Sequence, residues 1–129
     1  MLHHIEIYVS DLQRSRQFYN WFFAWLGYEL SSDWNEGFSY RFDNSYYLVF
    51  VQTEPQHLHH MYHRKQTGLN HLAFAAASRE KVDELTQLLI AKGIPILYAD
   101  KHPFAGGKHY YAVFFEDPDR IKLEVAVKQ

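Results

Sequence analysis

Two histidines and one glutamate stand where they could share a metal ion. His4 opens the stretch HIEIYVSDLQRSRQFYNWFFAWLG, and His71 opens HLAFAAASREKVDELTQLLIAKG. Glu124 lies inside the last apolar run, RIKLEVAV, between Leu123 and Val125. A carboxylate buried alone costs several kcal/mol, because it loses its water, so Glu124 calls for a cationic partner. Two imidazoles and one carboxylate leave coordination positions open, a donor set that suits one divalent ion of Fe, Mn, Ni, Zn or Co. A histidine at the start of a strand is by itself more often a surface residue. What singles out His4 and His71 is their recurrence at the same place in two repeats. Glu6, on the same face of its strand as His4, is a candidate general base. His109 or Tyr111, in the segment HYYAVFFED, is expected to face the same site and donate to a bound oxygen. Lys108 and Arg41 are the cations available to an anionic substrate. The run HLHHMYH, residues 57 to 63, reads as a solvated loop segment or part of a lid.

The elements that must position these groups form two copies of one plan. Each copy starts at a histidine, alternates through a strand, continues as a helix and stops at a glycine. Gly27 follows His4 by 23 residues and Gly93 follows His71 by 22. Such self-similarity marks an internal repeat. In the first strand Ile5, Ile7 and Val9 share one face, while His4, Glu6 and Tyr8 share the other. Ser10 and Gln13 form a capping box for the helix that follows, whose apolar face is Leu12, Tyr19, Phe22 and Leu26. Trp21, Phe22 and Trp25 read as core, and any that point outward would suit a dimer contact. In the second copy Leu72, Phe74 and Ala76 oppose His71, Ala73 and Ala75. Ser78 caps a helix striped by Val82, Leu85 and Leu89. Strand-like runs follow each glycine: GYEL, FSYRFD and YYLVFVQ, then IPILY, HYYAVFFED and IKLEVAV. The fold class is therefore α+β, with two βαβββ modules forming a curved mixed sheet around a shared metal-binding cavity. One domain is expected over 1–129, with module one at about 1–53, a loop at 54–67 and module two at about 68–129. By parity His4, His71 and Glu124 all point away from the helices.

Composition narrows the partners. The net charge of −2 offers no basic footprint for nucleic acid. With no cysteine, disulfides, thiolate metal sites and thiol nucleophiles are excluded. No run is long and apolar enough to span a bilayer, and no signal-peptide pattern opens the sequence, so a soluble cytoplasmic protein is expected.

The chain resembles the vicinal oxygen chelate superfamily, which includes glyoxalase I, fosfomycin-resistance thiol transferases, extradiol dioxygenases and bleomycin-resistance proteins. HIEIYVSDLQRSRQFY is similar to the family's opening strand and helix, GLNHLAFAA to the start of its second module, and FFEDPDRIKLEV to its closing hairpin. The resemblance extends over essentially the whole chain. It places the family's metal ligands on His4, seven residues before Asp11, and on His71 and Glu124. It implies a divalent metal chelated by two neighbouring oxygens of a small-molecule substrate, a homodimer, and a lyase, isomerase or dioxygenase reaction. The alternatives it leaves are a metal-free, bleomycin-type binding protein and a fosfomycin-type thiol transferase. Glyoxalase I has a further glutamate ligand in the last strand of module one. Here that position falls on Phe50 or Val49, with Gln52 as a distant substitute.

Overall fold

The computed structural model describes residues 1–129, which divide into two compact units, Met1–Met61 and Tyr62–Gln129. No helix is long and apolar enough to cross a membrane.

The first unit runs β1 (His4–Val9), α1 (Leu12–Leu26), β2 (Glu29–Trp34), β3 (Gly37–Phe42) and β4 (Tyr46–Gln52), and a short 3₁₀ turn follows at Pro55–His57. Its sheet has the order β1-β4-β3-β2, with β1 parallel to β4 and the other pairs antiparallel. The helix starts one residue later than a Ser10 cap would place it. Asp11 is the N-cap, and its carboxylate accepts the Arg14 backbone N–H at 3.2 Å. At the other end Gly27 takes the left-handed conformation, φ 85°, and its N–H closes the last turn. The buried face of α1 is Leu12, Ser15, Phe18, Tyr19, Phe22 and Phe23. The core against it is aromatic: Tyr19 lies 4.2 Å from Phe50 between ring centroids, and Phe50 stacks on Phe38 at 5.1 Å. Trp21 and Trp25 are half-buried. The face of β1 carrying His4, Glu6 and Tyr8 is exposed.

The second unit runs β5 (Leu72–Ala76), α2 (Arg79–Ala91), β6 (Ala112–Glu116) and β7 (Lys122–Val127), in the order β5-β7-β6 with β5 parallel to β7. Ser78 caps α2 by accepting the Lys81 N–H at 3.2 Å. Val82, Leu85 and Leu89 are buried, as are Phe74, Leu123 and Val125 on the sheet.

This unit has three strands and not four. The run IPILY is not a strand. Pro95 cannot donate to a ladder, and a single bond, Leu97 N–H to Phe114 O at 2.8 Å, ties the segment to β6. The chain then turns repeatedly from residue 97 to 109. Leu97, Ala105 and Tyr110 pack on Ala112, Phe114 and Ala126, covering the sheet face opposite α2. Tyr110 of this cover reaches Glu124 on the same face.

Candidate functional site

Each unit presents its repeat histidine at the mouth of its first strand, and each histidine has its Nδ1 held by the residue before it. In the second unit Asn70 Oδ1 lies 2.7 Å from His71 Nδ1. An amide oxygen only accepts, so Nδ1 carries the proton. In the first unit His3 Nδ1 lies 2.8 Å from His4 Nδ1, and the two share one proton. Both Nε2 atoms stand outside these bonds. His3, whose strand parity suggests an incidental residue, is thus a direct partner of His4. The His4 ring also stacks on Tyr47, its register partner on β4, at 4.8 Å and 5°.

The structure brings His71 and Glu124 together. Parallel pairing sets Ala73 opposite Glu124, and the histidine two residues earlier on the same face reaches the carboxylate. His71 Nε2 lies 2.8 Å from Glu124 Oε2. Glu124 is 3% exposed, so both its oxygens depend on protein partners. Its other oxygen accepts the Tyr110 hydroxyl. That bond, with burial and the carboxylate's charge, pushes the Tyr110 phenol up to about 12 and keeps it a donor through the neutral range. Gly106 makes room for the Tyr110 ring, since a Cβ there would stand 2.4 Å from Tyr110 Cδ1.

The donor set fits a bound cation. With its Nδ1 proton given to Asn70, a neutral His71 presents an Nε2 lone pair to a carboxylate oxygen 2.8 Å away. Two lone pairs that close need a shared cation, either a proton or a metal ion. Neither unit by itself gathers three histidine, aspartate or glutamate side chains into a cluster. His4 belongs to the first unit, and His71 and Glu124 to the second.

The other candidates separate. Tyr111 does not face Glu124. Its hydroxyl donates to Asp83 on α2, and the Arg79 guanidinium lies 4.8 Å from its ring centre. His109 is exposed in a turn. Strand parity misplaces both because β6 begins only at Ala112, and Tyr110 takes the position expected of one of them. Glu6 is exposed beside His4 on β1, opposite Val49. The register matches Val49, not Phe50, to Glu124, because Glu6 pairs with Val49 as Ala73 pairs with Glu124. Gln52 is committed to the start of α1, where its Oε1 accepts the Leu12 N–H at 2.9 Å and its Nε2 donates to Ser10 O at 2.8 Å. Lys108 is exposed in the Gly-Gly turn.

The sequence profile of the Glyoxalase/Bleomycin resistance protein/Dioxygenase superfamily matches residues 1–125. The chain belongs to this superfamily. The uncharacterized protein YqjT of Bacillus subtilis (strain 168) is 54% identical to it over 124 residues, covering 96% of each chain. A crystal structure from Bacillus halodurans, of a protein provisionally assigned as a glyoxalase, is 58% identical with a TM-score of 0.96, covering 99% of this chain and 96% of that one. The fosfomycin resistance protein FosX from Listeria monocytogenes, in complex with Mn(II) and a dihydroxypropylphosphonic acid, shares the fold. Its TM-score is 0.70 at 19% identity, covering 100% of this chain and 90% of that one. The α+β architecture, a four-stranded and a three-stranded sheet with one helix each, is that of the glyoxalase superfamily.

Proposed function

We propose that this superfamily member is a divalent-metal enzyme of the glyoxalase or dioxygenase type, acting on a small oxygenated molecule, with His4, His71 and Glu124 as ligands. The observation that carries the reading is the contact of His71 Nε2 with the buried Glu124 carboxylate at 2.8 Å, while Asn70 occupies Nδ1. The Mn(II) held by FosX, on the same fold, supports the choice of a divalent ion. Such an ion supplies Lewis acidity, stabilising negative charge that develops on two neighbouring substrate oxygens. The chain's own residues do the rest. Asn70 fixes the His71 tautomer, and Tyr110 orients Glu124 by donating to its second oxygen. Glu6, exposed two residues from His4 on the same face, is the base that takes a proton from substrate. Tyr111 and His109 have no part in this scheme.

The second reading is a metal-free, small-molecule binding protein, in which a proton bridges His71 and Glu124. It is favoured by the one feature that two donors, and not three, meet within the second unit. Elemental analysis of the untagged protein separates the two. The enzyme reading expects about one metal per site, lost in His4→Ala, His71→Ala and Glu124→Ala. No metal after loading with Mn(II), Zn(II), Ni(II), Co(II) or anaerobic Fe(II) would overturn the enzyme reading and favour the binding protein. We propose a homodimer, to be checked by sedimentation. Mixing the His4→Ala and Glu124→Ala chains restores metal only if one site draws ligands from two copies.

A further inference from the structure

The first unit has a cavity that the metal reading does not use. It occupies about 390 Å³ on the sheet face opposite α1, within the usual range of small-molecule sites. Its lining is polar and includes Arg41, Ser31, Ser39, Ser45, Tyr47 and His3. Pairing puts His4 opposite Tyr47, and Tyr47 opposite Arg41, so the three stand in one row across β1, β4 and β3. Two strand spacings, roughly 10 Å, separate the backbones at the ends of that row.

Arg41 carries a charge that the protein does not neutralise. Its Nε donates to Asp43 O at 3.3 Å and its Nη2 to Asn44 Oδ1 at 3.1 Å, both uncharged oxygens. No carboxylate forms an ion pair with it, although Glu29 is its cross-strand neighbour. Those two bonds fix the guanidinium and leave donors over, since the group has five N–H bonds. The serines add to this. Ser31 and Ser39 hydroxyls meet at 2.6 Å, which uses one of their two protons and leaves the other to donate. Ser39 is itself 4% exposed. The opposing charge in the lining is Asp43, whose carboxylate repels an anion.

We infer that this cavity is an oxyanion subsite that takes the carboxylate or phosphonate end of an anionic substrate, with Arg41 as its anchor. The inference rests on the functional reading above, and it names the substrate class. A molecule held at Arg41 passes over Tyr47, whose ring stacks on His4, so its oxygenated end lies toward the candidate ligand. Planar, forked N–H groups match a carboxylate or phosphonate better than any neutral group.

The test is a chemical-shift titration of the ¹⁵N-labelled, metal-free, full-length protein with glycolate, with methylphosphonate, and with neutral glycolamide. Either anion is expected to shift the Ser31, Ser39, Arg41 and Tyr47 amides, and glycolamide is not. Arg41→Gln should weaken anion binding roughly tenfold, and Arg41→Lys should weaken it less. Asp43→Asn should tighten it roughly two- to fivefold by removing the opposing charge. The stronger of the two anion arms identifies the headgroup. No shift at these amides with either anion, or anion binding unchanged in Arg41→Gln, would overturn the inference. Because no metal is present, this result and the metal analysis can fail separately.

Discussion

The two units share a backbone plan and distribute charge on it differently. At the position two residues past the histidine, the first unit reads Glu6, Val49, Ser39 across three strands, and the second reads Ala73, Glu124, Phe114. The carboxylate has changed strands. On the edge strand Glu6 is exposed to solvent. On the central strand Glu124 is buried and has to be matched by His71 and Tyr110. The sheet faces differ for the same reason. The 97–110 segment covers the face around Glu124, while the first unit leaves a polar cavity beside His4. A repeat can thus keep its register while one copy buries its carboxylate against a histidine and the other leaves its carboxylate exposed.

The largest difference between the units should vanish with Glu124. Glu124→Gln keeps the volume and removes the charge, so bound metal should fall to background in elemental analysis while the folded circular-dichroism spectrum is kept. Next in size are the residues that hold the ligands. Asn70→Ala should weaken metal binding roughly 10- to 100-fold in a chelator competition. His3→Ala should act in the same direction by less, because the His3–His4 pair is exposed. Tyr110→Phe, which removes the hydroxyl that donates to Glu124, should also weaken metal binding, and Gly106→Ala, which drives a Cβ into the Tyr110 ring, should do the same. If Asn70→Ala leaves affinity unchanged, the likeness between the histidine pairs is accidental. Smaller still, Gln52→Ala should lower unfolding free energy by about 1 kcal/mol in denaturant titration and leave metal binding unchanged. Tyr111→Phe should cost under about 1 kcal/mol, and should not alter metal content.

Parity was informative wherever a regular strand runs between helix and solvent. Ile5, Ile7 and Val9 against His4 and Glu6, and Phe74 and Ala76 against His71, could be read from alternation alone, because one face of each strand meets a helix. The same rule failed at Tyr110 and Tyr111. It assumed a strand reaching back to His109, whereas turns run up to that residue and β6 starts at Ala112. The run IPILY misled because its apolar residues pack onto a sheet without joining it, and apolar alternation does not distinguish the two. Ser10 and Gln13 fit a capping box, yet Asp11 and Gln52 hold the start of α1. A bond from a residue 40 positions away leaves no local signal. Parity gives His3 no role, yet a side chain just outside a strand can bond its neighbour whichever face it starts from.

His71 and Glu124 are proposed to hold a metal ion completed by His4. This is tested most directly by X-ray absorption on the untagged protein loaded with one equivalent of Zn(II). The account predicts nitrogen and oxygen ligands at about 2.0–2.1 Å, with imidazole scattering from two histidines that falls to one in His71→Ala and one in His4→Ala. A spectrum without imidazole scattering, or one unchanged by both substitutions, would contradict it.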